Sequence, residues 1–99
     1  MSKVLQIIMA ESAVMDLEEI RAYYFEKQAP DVGDRLMREI FALIEGLSSH
    51  PDKGRVVSEF NQSKIRELIH PPFRIVYRRD SQSLSIVRVW RSERLMRLP

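Results

Sequence analysis

The side chains with the most chemistry to offer in this sequence are arginines, and they gather late in the chain. In Phe73-Arg74-Ile75-Val76-Tyr77-Arg78 apolar and cationic positions alternate. An extended strand would therefore put Arg74 and Arg78 on one face, where they could form an anion-binding strip. An ion pair with Glu59 or Glu67 is an equally good use for either arginine. Arg66 and Glu67 are chain neighbours and so must point to opposite faces of a strand. Arg91, Arg94 and Arg97 form a basic tail, read either as an ordinary terminus or as a contact for an acidic partner. The two histidines, His50 and His70, each precede a proline and read as turn or loop residues. His70 is still the candidate base if a proton must be moved near Arg74. Tyr77 and Trp90 read as core or sheet-edge aromatics, with Trp90 alternatively an exposed contact. There is no cysteine, hence no disulfide and no thiolate chemistry. Nothing resembles a P-loop, a zinc site, a nucleotide-binding glycine turn or a serine triad, so neither cofactor nor metal is expected.

The charge is divided along the chain. Residues 1–50 hold five basic and nine acidic side chains, a net −4, whereas residues 51–99 hold eleven and five, a net +6. A second half of that sign suits an anionic partner, either nucleic acid or an acidic protein surface. No apolar run approaches the ~18–20 residues of a membrane span. The start, Met-Ser-Lys-Val-Leu-Gln, lacks the apolar core and cleavage site of a signal peptide. A cytoplasmic protein of one domain, residues 1–99, is expected.

The elements that must position these residues follow from periodicity. Lys3–Met9 is short, β-branched and apolar, a strand. Ser12 offers an N-cap oxygen, and Ala13, Leu17, Ile20 and Tyr24 form a stripe that predicts a helix over 12–28. Ala29-Pro30-Asp31 interrupts it. Val32, Leu36, Ile40, Leu43 and Leu47, with Phe41 and Ile44, predict a second helix over 31–48, antiparallel to the first because the link is short. Ser48–Gly54 is a loop by composition. Strands are predicted at Lys64–His70, Phe73–Arg79 and Leu84–Trp90, joined as hairpins, with a further short strand at Val56–Phe60. The class is α+β: an N-terminal strand, a two-helix hairpin, then a three-stranded antiparallel meander, with the helices on one face and a basic, solvated face opposite.

Along nearly the whole chain, these segments resemble the RelE/ParE toxins of type II toxin–antitoxin systems. The resemblance is carried in order by Ser12-x-x-x-Asp16-Leu17-x-x-Ile20-x-x-Tyr24, Ile44-x-x-Leu47, Pro51-x-x-Gly54-Arg55, Ile65-Arg66-Glu67-Leu68, Phe73-Arg74-Ile75-Val76-Tyr77 and Val87-x-Val89-Trp90-x-x-x-Arg94. It implies a compact toxin neutralised by an antitoxin, expected to be of ribbon-helix-helix type, whose C-terminal segment wraps the toxin.

The family holds two activities. One branch cuts messenger RNA on the ribosome; the ParE branch poisons DNA gyrase. Cleavage through the 2′-hydroxyl needs a base, cations for the phosphorane and an acid for the leaving oxygen. Arg74 matches the strand arginine of the ribonucleases. Glu67, however, stands where they carry a catalytic lysine, and Ser92–Pro99 contains neither histidine nor tyrosine. The resemblance therefore leans to the ParE-like branch and gyrase, with Arg66, Arg74, Arg78, Arg91 and Arg94 as candidates for toxicity. The alternative is a ribonuclease built on Arg74 with His70 or Glu67 as base.

Overall fold

The computed structural model describes residues 4–91. Within them a short strand, β1 (Gln6–Met9), leads into α1 (Glu11–Glu26) and α2 (Pro30–Gly46), after which the chain is mostly sheet. β2 (Arg55–Val56) is two residues long and is followed by a single 3-10 turn, Ser58–Phe60. β3 (Ile65–His70), β4 (Phe73–Arg79) and β5 (Ser83–Arg91) complete it.

The helices lie close to their expected limits because each carries a local apolar stripe. Ala13, Leu17 and Ile20 of α1 and Leu36, Ile40 and Ile44 of α2 are buried against Phe73, Ile75, Tyr77, Leu84, Ile86 and Val89 of the sheet. Pro30 occupies the first turn of α2, where its missing N–H would have had no helical partner anyway. Gln28 takes a left-handed φ of 59° to reverse the chain between the helices. Close to that reversal Gly33 faces Tyr24, where a Cβ would lie 3.0 Å from the tyrosine Cβ, so the helix crossing itself favours glycine.

The sheet order is β1-β5-β4-β3-β2. The expected meander β3-β4-β5 is antiparallel throughout, but β1 joins it parallel to β5, with Gln6 opposite Ser83 and Met9 opposite Ile86. The layer is thus mixed. The chain leaves β1 into α1, and the neighbouring position is filled last, by a strand from the far end of the sequence.

β1 ends opposite Ile86, and from there α1 takes over the exposed edge of β5. Ala10 N–H donates to Ile86 O (3.0 Å), Ser12 Oγ donates to Val87 O (2.6 Å), and Val89 N–H donates to Asp16 Oδ2 (2.8 Å). Ser12 is therefore not the helix cap expected of it. The cap position is Ala10, without a side-chain bond, and the serine hydroxyl, inside the first turn, faces the sheet. A register shift opposite Val76 and Tyr77 leaves Val87 as an extra residue in β5. That bulge lets Ile86 and Val89, three positions apart, both reach the core.

The face away from the helices departs from expectation as well. Parity does place Arg74, Val76 and Arg78 there. The segment after β2 folds across it, however, and buries Val57 against Val76, with Ile65, Val87 and Trp90 packed around them. What was expected as a basic, solvated surface is a small second core bordered by ion pairs. The Val56–Phe60 region, expected as a strand, is strand only at Arg55–Val56; the 3-10 turn lets it make this crossing.

Candidate functional site

Four charged side chains meet on the face away from the helices. Arg55 of β2 pairs in register with Glu67 of β3, which lies one strand from Arg74 of β4. Arg55 Nε donates to Glu67 Oε2 at 2.7 Å, while Arg74 donates from Nε and one Nη to Glu67 Oε1. The other Nη of Arg74 reaches Glu59 Oε2 at 3.2 Å, from the 3-10 turn. Glu67 is 3% and Arg74 6% exposed. Buried charges are tolerated only when paired in this way. Glu59's backbone amide, and then Arg74, hold its carboxyl below the ordinary carboxylate range. Two guanidinium groups and two carboxylates form a neutral set, and Arg74 spends its donors inside the protein.

The remaining candidates are dispersed. Arg78 shares the face of Arg74, is half exposed and lies 3.4 Å from Asp80. Arg66 projects to the opposite side, as parity requires. There one Nη donates to Gly54 O at 2.8 Å, and Asp52 lies 3.8 Å from its Nε, an atom that is buried without a hydrogen bond. His70 also projects to the helix side, where its Nε2 lies 2.9 Å from Glu39 Oε1 of α2. Its expected place across the face from Arg74 is corrected: Ile69, not His70, is opposite Arg74 in the register. Glu67 accepts from two arginines and has no oxygen without a guanidinium partner. Arg91 lies at the end of β5 with its guanidinium 5.8 Å from the Phe73 ring. Arg94 and Arg97 fall outside the described residues. Among the described residues no group of three or more histidines, aspartates or glutamates could hold a metal, and no helix is long and apolar enough to cross a membrane.

Two arrangements escaped the sequence reading. Tyr77, fully buried, closes the loop after α2: its hydroxyl donates to Pro51 O (2.8 Å) and accepts from Gly54 N–H (2.9 Å). Burial raises the pKa of this phenol. The Pro51-x-x-Gly54-Arg55 motif is thereby explained, since Pro51 and Gly54 bind Tyr77, Gly54 also binds Arg66, and Arg55 binds Glu67. The second arrangement is Asp16, a carboxylate inside the apolar stripe of α1. Its oxygens take Arg88 Nε and Nη2 at 2.8 and 2.9 Å as well as the Val89 amide. Arg88 in turn stacks over the Trp90 ring at 4.5 Å. An aspartate at a core position was the available signal. Beside it an open cleft of about 360 Å³ runs between α1 and the end of β5, lined by Tyr23, Tyr24, Phe73, Trp90 and Glu19.

A parallel edge strand, a helical hairpin and an antiparallel meander covered on one face define the toxin fold of RelE/ParE type. In solved structures the chain is similar to one from the chromosomal ParDE toxin–antitoxin system of P. aeruginosa, with a TM-score of 0.74 and 19% identity, over 89% of this chain and 96% of that one. It is also similar to a chain of the RelBE2 toxin–antitoxin complex of Mycobacterium tuberculosis, with a TM-score of 0.58 and 19% identity, over 89% and 98%. Comparison with curated proteins finds no match. The model of the ParE toxin of type II toxin–antitoxin systems matches residues 7–96. The chain belongs to that family and is a type II toxin.

Proposed function

We propose that the protein arrests growth by inhibiting DNA gyrase, in the cytoplasm, and has no nuclease chemistry of its own. The observation that carries this reading is the internal use of Arg74. A ribonuclease would need that guanidinium free to meet a phosphate, and here Glu67 and Glu59 already hold it. His70 stands on the other side of the sheet, and Ser92–Pro99 offers no histidine or tyrosine as acid. The ParE match supports the same branch.

Purified toxin should block gyrase supercoiling and trap cleaved DNA, while messenger RNA on translating ribosomes stays whole by primer extension. Supercoiling that proceeds at saturating toxin would remove the proposal. The partner is a cognate antitoxin with a ribbon-helix-helix N-terminus. If it binds folded toxin in preference to the unfolded chain, it should raise the melting temperature with the logarithm of its concentration above Kd.

A further inference from the structure

The positive charge of the second half was expected on the face away from the helices, but there Glu67 and Glu59 neutralise Arg55 and Arg74. It surfaces instead at the end of β3 and β4 remote from Pro71-Pro72. We infer that this end of the sheet is a contact surface for the phosphate backbone of duplex DNA. The inference goes beyond the gyrase reading and does not rest on it.

Arg79 N–H donates to Lys64 O at 2.8 Å, and Arg78 lies opposite Ile65, so three basic side chains leave the sheet from adjacent rungs. Arg66 joins them from β3, and the four cations share two carboxylates. Arg79 Nε donates to Asp52 Oδ1 at 2.8 Å, while Arg66 Nε stands 3.8 Å from the same oxygen. Arg78 Nε and Lys64 Nζ lie 3.4 and 4.0 Å from Asp80 Oδ1. Four positive charges against two negative leave a surplus of two. The pairing is loose as well, since Arg66 Nε is buried without a hydrogen-bond partner and Lys64 and Arg78 are more than half exposed.

Lys64, Arg66 and Arg79 border an open depression of about 470 Å³, whose other walls are the two aspartates, Ser63 and Ser81. Every lining residue is polar. An acidic protein surface would seek an apolar centre to its interface, and an unpaired nucleic-acid strand would seek an aromatic ring on which to stack its bases. The depression offers neither. A duplex backbone needs only cations and neutral donors such as serine hydroxyls, and contacts of that kind carry no sequence preference.

The test uses the whole chain and a fluorescein-labelled DNA duplex of mixed sequence, followed by anisotropy over a range of salt. No gyrase is present, so the result is separate from that of the supercoiling assay. Wild type should bind at low salt, with an affinity that falls linearly in log salt. Lys64→Ala with Arg78→Ala should weaken binding about tenfold at low salt. The same pair should flatten the salt slope by about two units. Lys27→Ala with Arg35→Ala removes equal charge from the helical hairpin and should leave the slope as it is. Asp80→Asn raises the surplus and should tighten binding, a gain that no folding defect produces. No binding by wild type, equal loss in the two double variants, or no gain from Asp80→Asn would overturn the inference. So would tighter binding of a single strand of the same length. Polyglutamate bound through Lys64 and Arg78 while the duplex is ignored would overturn it too, and reassign the surface to an acidic protein.

Discussion

Asp16 grips Arg88 with both carboxylate oxygens, at 2.8 and 2.9 Å, and through the Val89 amide it also caps the edge of β5 that β1 leaves open. One side chain on the first helix thus substitutes for a missing strand neighbour. Edges left bare are prone to pair with other chains. Here the helix closes this one from within.

The first prediction concerns that carboxylate. Asp16→Ala leaves the buried Val89 N–H without an acceptor and frees Arg88 from its partner. The cost should be about 2–3 kcal/mol, given typical values for hydrogen bonds to charged groups. For a domain of this size that corresponds to a fall in Tm of roughly 10 °C or more. Asp16→Asn keeps an acceptor for Val89 and should cost about half as much. Urea denaturation of both variants decides it: an unchanged midpoint for Asp16→Ala would show that the edge is satisfied some other way.

Gly54 is fixed by space and not by backbone conformation, since no described glycine has a positive φ. A Cβ there would lie 2.6 Å from the Tyr77 hydroxyl and 2.7 Å from Glu67 O. Because one of those atoms is backbone, it cannot simply step aside. Gly54→Ala should cost about 1–3 kcal/mol, as overpacked sites do. Gly46→Ala is the control: a Cβ meets nothing within 4 Å there, and helix propensity favours alanine, so stability should hold or rise. If the two alanines behaved alike in thermal melts, the crowding around Tyr77 would be disproved.

Tyr77 should give the protein an alkaline limit. Its phenol is pushed above the ordinary tyrosine value by burial, so the folded state holds the proton more tightly than the unfolded state does. Stability from this group is fully present below about pH 10 and is lost as pH rises from there through the folded-state pKa. Tyr77→Phe removes that loss while costing about 1–3 kcal/mol at neutral pH, because Gly54 N–H loses its acceptor. Melting curves across the alkaline range should converge for the two proteins. Parallel curves would show that another group governs the limit.

Much of this fold was legible because it is local. The stripes of α1 and α2 repeat within a few residues, and β4 runs over Phe73–Arg79 as its alternation requires. The parallel pairing of β1 with β5 joins residues more than seventy positions apart, and no local pattern encodes it. The bulge did leave a trace, since Leu84 and Ile86 are two apart while Val89 follows at three. At the charged cluster, parity correctly put Arg66 and Glu67 on opposite faces and Arg74 with Arg78 on one, but only the register shows that Glu67 is the one on Arg74's side. Parity was silent on whether Arg74 would meet solvent or carboxylates. That depended on where residues 57–60 cross, and a segment too short for periodicity does not announce which surface it covers.

The last prediction separates a structural arginine from a catalytic one. Arg74→Ala leaves Glu67 buried with only Arg55 to compensate it, and should cost about 3 kcal/mol, near the low end for breaking a buried pair. Loss of toxicity in that variant alone would therefore say nothing about chemistry, since an unfolded toxin is also harmless. The informative change replaces both members, Glu67→Leu with Arg74→Met, removing the charges while keeping the volume filled. Exchanges of this kind are often neutral or stabilising, because desolvating two charges offsets much of their attraction. The double variant should melt within a few degrees of wild type or above it. If gyrase is the target, it should inhibit supercoiling as wild type does, because Arg74 never faced the target. If the protein is a ribonuclease, the same well-folded variant should be inert in cells. Stability preserved with growth arrest abolished and no effect on gyrase would move the assignment to the messenger-cleaving branch.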